Sequence, residues 1–132
     1  MKYLAMFAMA ALLGPAPLVH SQEAKTLKIT GWFADERCAP ARLKAEKLGP
    51  TNPECSAECI RKGAAAVFLT EERSLLIVKD HPGVIDDLGF YVEVTGTLDP
   101  AAKVIHVQAV KQLSWQGAAC SRPKKPAAAK QP

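Results

Sequence analysis

Phe90-Tyr91-Val92-Glu93-Val94-Thr95-Gly96-Thr97-Leu98 is the stretch that decides the fold. Val92, Val94, Gly96 and Leu98 alternate with Tyr91, Glu93, Thr95 and Thr97. A period of two predicts a strand with one buried face. Asp99-Pro100-Ala101-Ala102-Lys103 then reads as a turn, and Val104 to Leu113 as a second strand with Ile105, Val107 and Ala109 on one face. Val110 and Leu113 break that alternation, which predicts a bulge near Ala109.

Working back from this hairpin, Val84-Ile85-Asp86-Asp87-Leu88 has room for one helical turn with Val84, Ile85 and Leu88 facing inward. His81-Pro82-Gly83 separates it from Leu75-Leu76-Ile77-Val78. That run, the polar Glu71-Glu72-Arg73-Ser74 and the apolar Val67-Phe68-Leu69 together predict a hairpin. Thr26 to Phe33 alternates as well, with Leu27, Ile29, Gly31 and Phe33 opposite Lys28, Thr30 and Trp32. Gly31 inside it suggests a bend or bulge. Ile29, Val78, Val94 and Ile105 are the expected core.

Between the first strand and the first hairpin lies a helical insertion. Ala41 to Leu48 can form a short helical turn, which Gly49-Pro50 ends. A second helix is expected from about Pro53 to Lys62. Asn52 can cap its free amides, Pro53 suits the first helical position and Glu54 complements the positive end. Gly63 suits the left-handed residue that closes it. The order is strand, helical insertion, strand, strand, helical turn, strand, strand. It predicts a mainly β domain, a five-stranded OB-fold-like Greek-key barrel with a cysteine-bearing helical insertion after the first strand.

The chain opens with Met1-Lys2-Tyr3, an apolar run from Leu4 to Leu13 and breaks at Gly14, Pro15 and Pro17, after which Val19-His20-Ser21 offers residues a signal peptidase tolerates. This is the pattern of a secretory signal peptide, too short for a transmembrane helix of ~20 apolar residues. No cysteine near the exit offers a lipid attachment point. The expected organisation is a signal peptide over 1–21, a linker over 22–25, the domain over 26–115 and a disordered tail over 116–132. The mature chain is then secreted or periplasmic, without a transmembrane segment. Of the 17 Lys and Arg, Lys2 lies in the leader and Arg122, Lys124, Lys125 and Lys130 in the tail, which leaves 12 against 13 acids in the body. The near-neutral body argues against nucleic acid, which calls for clustered basic residues. The basic tail can touch anionic surfaces.

Four cysteines, Cys38, Cys55, Cys59 and Cys120, allow three complete pairings. Cys55 and Cys59 share a helix face but both point outward, which is poor geometry for a mutual bond. A structural disulfide from Cys38 to one of the two is expected, as is common in small exported domains. Cys59 is favoured because it sits deeper in the helix beside Ile60, which leaves Cys55 either free or paired with Cys120. Cys55 then stands in the first helical turn, where amides and the helix dipole can stabilise a thiolate, as a candidate reactive thiol. The alternative is a soft-metal or redox site on Cys38, Cys55 and Cys59, with His81 as a fourth ligand. His106 reads as an ordinary outward-facing strand residue. The adjacent acids Asp35-Glu36, Glu71-Glu72 and Asp86-Asp87 read as solvated. Trp32, Tyr91 and Trp115 can line a ligand face. No phosphate loop or Ser-centred nucleophile motif is present.

Gly31-Trp32-Phe33-Ala34-Asp35 with Cys38, then Cys55, Cys59 and Gly63, then Val92 to Leu98 and Ile105-His106-Val107, resemble the small secreted bacterial OB-fold-like proteins. The resemblance covers about Thr26 to Leu113, leaves Cys120 outside, and rests most on Asp-x-x-Cys with Cys-x-x-x-Cys-x-x-x-Gly. It implies the barrel but no established activity. The expectation is an exported, non-enzymatic domain without a cofactor, binding a protein or small ligand.

Overall fold

A computed structural model describes residues 25–118. The signal-peptide expectation, most of the linker, Cys120 and most of the tail lie outside them. The strands are β1 (Thr26–Asp35), β2 (Ala66–Thr70), β3 (Leu75–Lys79), β4 (Phe90–Asp99) and β5 (Val104–Trp115). Two helices, α1 (Ala39–Lys44) and α2 (Pro53–Arg61), follow β1, and a single 3-10 turn, Val84–Asp87, precedes β4. All of the expected elements are present. Among the described residues, no helix is long and apolar enough to cross a membrane.

The five strands make one mixed sheet that closes in a ring in the order β1-β2-β3-β5-β4 and back to β1. Only the β3–β5 pair is parallel. Closure depends on β1, which bonds β4 through Thr26–Gly31 and β2 through Gly31–Asp35. Gly31 is the changeover residue, and a Cβ there would sit 2.1 Å from the Leu69 carbonyl oxygen. Only glycine lets the two backbones approach that closely.

The β4–β5 register slips twice. Thr95 faces Ala109 but Gly96 faces Val107, so Gln108 is the extra residue beside the expected position. A second slip between Tyr91 and Val92 leaves Leu113 unpaired and 43% exposed. The first bulge reverses the alternation. Val110, not Ala109, packs against the core, and Ala109 is exposed.

Phe33, Phe68, Val92, Val94 and Ile105 are fully buried in one core cluster, which Leu88, the residue after the 3-10 turn, joins. Ile29 and Val78 pack against this core half-buried. The expectation of one buried face fails for the second half of β1, where Gly31 to Asp35 are all buried. There the outer face is covered too. Ala34 joins Ala39 of α1 and Val67 in a second apolar cluster, and Trp32 is shielded by Tyr91 and Gln116. The ordered domain runs past Trp115, since the amides of Gln116 and Gly117 both donate to the Gly89 carbonyl.

Candidate thiol and carboxylate centre

The double burial at the end of β1 creates the site. Asp35 is the last residue of the strand and is 0% exposed. Its Oδ1 accepts from the amides of Arg37 and Cys38, each at 3.0 Å. This side-chain-to-backbone turn is a favourable use of Asp and bends the chain into α1. Its Oδ2 accepts from the Ser56 hydroxyl of α2 at 2.7 Å. Ser56 Oγ also lies 2.6 Å from Thr51 Oγ1. A serine hydroxyl carries one proton and gives it to Asp35, so Thr51 donates to Ser56. A relay Thr51–Ser56–Asp35 thus joins helix to strand inside the protein. Among the described residues, no buried side-chain polar atom lacks a partner.

The helix that brings Ser56 is capped as its sequence implies. Asn52 accepts from the amides of Glu54 and Cys55, and Gly63 ends the helix at φ +97°. Ser56 and Ala57 face inward, Cys59 is half-buried and Cys55 is exposed. Cys38, half-buried, precedes α1. One ligating atom each from Asp35, Cys38 and Cys59 falls within 4.8 Å of the others.

Three potentially anionic groups in one place raise an electrostatic question. Burial pushes the Asp35 carboxyl up, but hydrogen bonds from Ser56, the Cys38 amide and thiol and the Arg37 amide outweigh it. The net result is a carboxylate held below its usual range. The Cys38 thiol is pushed up to about 11, first by burial, then by its hydrogen bond to Asp35 and the negative charge there, and by Cys55 and Cys59. At neutral pH Asp35 is therefore ionised and Cys38 keeps its proton.

Several expectations need correction. Asp35 is not solvated, whereas Glu36 is exposed as expected, its carboxylate accepting from the Ala65 amide. Asp87 is also buried and accepts from Gln112. His81 does not join the cysteines. Its Nε2 lies 2.7 Å from Asp87 Oδ2 and its ring packs on Phe33. Glu71 and Glu72 are exposed as expected, and Glu71 accepts from Tyr91 and Thr30, whose hydroxyls hold its carboxyl below the usual range. Cys38, Cys55 and Cys59 are unbonded thiols in this structure. The Cys38 and Cys59 sulfurs are brought together, whereas Cys55 is absent from the group within 4.8 Å. The Glu54 and Cys55 amides expected to support a Cys55 thiolate are turned to the Asn52 side chain instead.

Trp32, Tyr91 and Trp115 do not form one open face. Trp32 is 6% exposed, stacks on Tyr91 and donates to Gln116. Trp115 packs edge-on against Phe90. His106 faces out as expected, 2.7 Å from Asp80. Arg73, which carried no expected role, donates to the carbonyls of Leu43, Ala45 and Glu46 and so holds the insertion against the β2–β3 turn. The residues missed from sequence are Asp35, Ser56 and Thr51. The signal for Asp35 was its spacing to Cys38, which suits an Asp-led turn. Ser56 and Thr51 carried none. Comparison with protein-family models, with curated proteins and with solved structures finds no match to this chain.

Proposed function

We propose that this chain is an exported, non-enzymatic binding domain with an OB-fold-like Greek-key barrel, in which a Cys38–Cys59 disulfide fastens α2 to the end of β1. The observation that carries it is the convergence of those two sulfurs, and not of Cys55, at the Asp35 carboxylate. The ring order β1-β2-β3-β5-β4 with its single parallel pair suits a five-stranded Greek-key barrel. The leader-like N-terminus supports export, where such bonds persist. A Cys38 thiol raised to about 11 is a poor resting nucleophile, which favours a structural over a catalytic role. Barrels of this kind offer loops and a strand face to ligands, and the near-neutral body favours a protein or small molecule over nucleic acid. A second reading, a soft-metal site on the reduced thiols, is favoured by one observation, the carboxylate within the same cluster.

The pairing is tested by a mutant cycle on the exported protein. The bond closes a loop of about 20 residues and contributes ~3 kcal/mol by restricting the unfolded chain. Cys38→Ser and Cys59→Ser should each cost about that much, and the double variant no more, because each single change already breaks the bond. Cys55→Ser, at an exposed position, should stay within ~0.5 kcal/mol of wild type. Equal damage from Cys55→Ser and Cys38→Ser, measured by denaturant unfolding, would mean that Cys55 is the partner.

A further inference from the structure

We infer that Asp35, Cys38 and Cys59 of the reduced chain form a three-ligand site for a borderline-soft divalent cation, with Zn2+ the best match. This rests on the second reading above and names its ligands and ion. Two sulfurs and one carboxylate oxygen, all within 4.8 Å of one another, fit the ligand types of a tetrahedral zinc centre with three protein ligands and a fourth position open to water. A hard cation such as Mg2+ takes oxygen ligands, and a monovalent copper ion prefers soft sulfur to a carboxylate oxygen. The mixed set with thiolate in the majority selects zinc.

The surroundings are those of a prepared cation site. The Asp35 carboxyl group is buried, and its orientation is set by Ser56 and by the Arg37 and Cys38 amides. Ser56 is in turn oriented by Thr51. Such outer partners fix a ligand before the metal arrives. Cys38 and Cys59 are both half-buried, so an ion can reach them from solvent. Binding balances as Zn2+ plus two thiols giving a dithiolate complex and two protons released to water. In the complex two thiolates and a carboxylate share one place, and a dication offsets their mutual repulsion. His81 is excluded because Asp87 engages it.

The same sulfurs cannot bond each other and the metal at once, so the two readings fail separately. A thiol count on the exported chain before reduction addresses the disulfide. Metal titration after reduction addresses the site. The full mature chain carrying Cys120→Ser should be reduced under anaerobic conditions and titrated with Zn2+, using Co2+ as the spectroscopic probe. The expected result is one ion per chain, with thiolate-to-cobalt charge-transfer bands that weaken in Cys38→Ser and Cys59→Ser. Each of these variants, and Asp35→Asn, should lose about 100-fold in zinc affinity, at or above the effect of removing a supporting partner. Cys55→Ser should change it by less than about 3-fold, since its sulfur lies outside the cluster. Far-UV circular dichroism identifies a variant that fails to fold. If Asp35→Asn is one, Cys59→Ser still decides. No stoichiometric ion, full affinity in a folded Asp35→Asn, or a loss in Cys55→Ser equal to that in Cys38→Ser would each overturn the assignment.

Discussion

Asp35→Ala is expected to cost about 3–5 kcal/mol of folding stability, against a total of roughly 5–15 kcal/mol for an ordinary domain. The carboxylate is fully buried and accepts from two backbone amides and one hydroxyl. Removing it leaves the buried Ser56 hydroxyl and two part-buried amides without that acceptor, and each such loss costs about 1–3 kcal/mol. It also opens the relay that ties α2 to β1. Asp35→Asn keeps the shape and one carbonyl oxygen and should cost less, ~1–2 kcal/mol. The pH dependence has a definite sign. The folded carboxyl is held below its usual range, so its contribution is complete above the unfolded value of about 4 and is lost as pH falls through the lower folded value. Denaturant midpoints measured through the acid range should fall more steeply for wild type than for Asp35→Asn. Parallel curves would remove Asp35 from the account.

Phe33→Ala should cost a similar ~3–5 kcal/mol, by a different route. Phe33 is 0% exposed and meets Phe68 edge-on, ring centres 5.2 Å apart. Its other side carries the His81 ring, also at 5.2 Å. Truncation forfeits the transfer of a large apolar side chain and leaves a cavity where β1 pairs with β2, two residues beyond the Gly31 changeover. Because β1 is the strand that closes the ring, the loss should appear as lowered cooperativity of the whole domain, not as local fraying. Hydrogen exchange that accelerates only near residue 33, with the global melting temperature unchanged, would contradict this.

The fold was legible because its signals are local. Val92 and Val94 alternate with polar neighbours, Asn52-Pro53 announces a helix start, and Gly63 announces its end. Even the bulge beside Ala109 could be seen, because a break in a period of two is itself a local event. The second half of β1 was not legible. Trp32 and Ala34 occupy the positions that alternation assigns to solvent, yet Ala34 is covered by Ala39 of α1 and by Val67, and Trp32 by Gln116, which lies 84 residues along the chain. The site suffered from the same limit. Cysteine content pointed to Cys38 and Cys59, but Asp35 read as one of a solvated pair. Its burial depends on Ser56, 21 residues later, arriving by way of a helix. His81 failed as a ligand for a similar reason. Its loop position suggested availability, while Asp87, expected to be solvated, folds under to engage it.

If the end of β1 and the helix α2 are joined through Cys38 and Cys59 beside the Asp35 carboxylate, peptide mapping by mass spectrometry, without reduction and with free thiols blocked before digestion, should show the bond. The expected result is a peptide pair joined through Cys38 and Cys59, with Cys55 carrying the blocking group. A Cys38–Cys55 or Cys55–Cys59 linkage would contradict it.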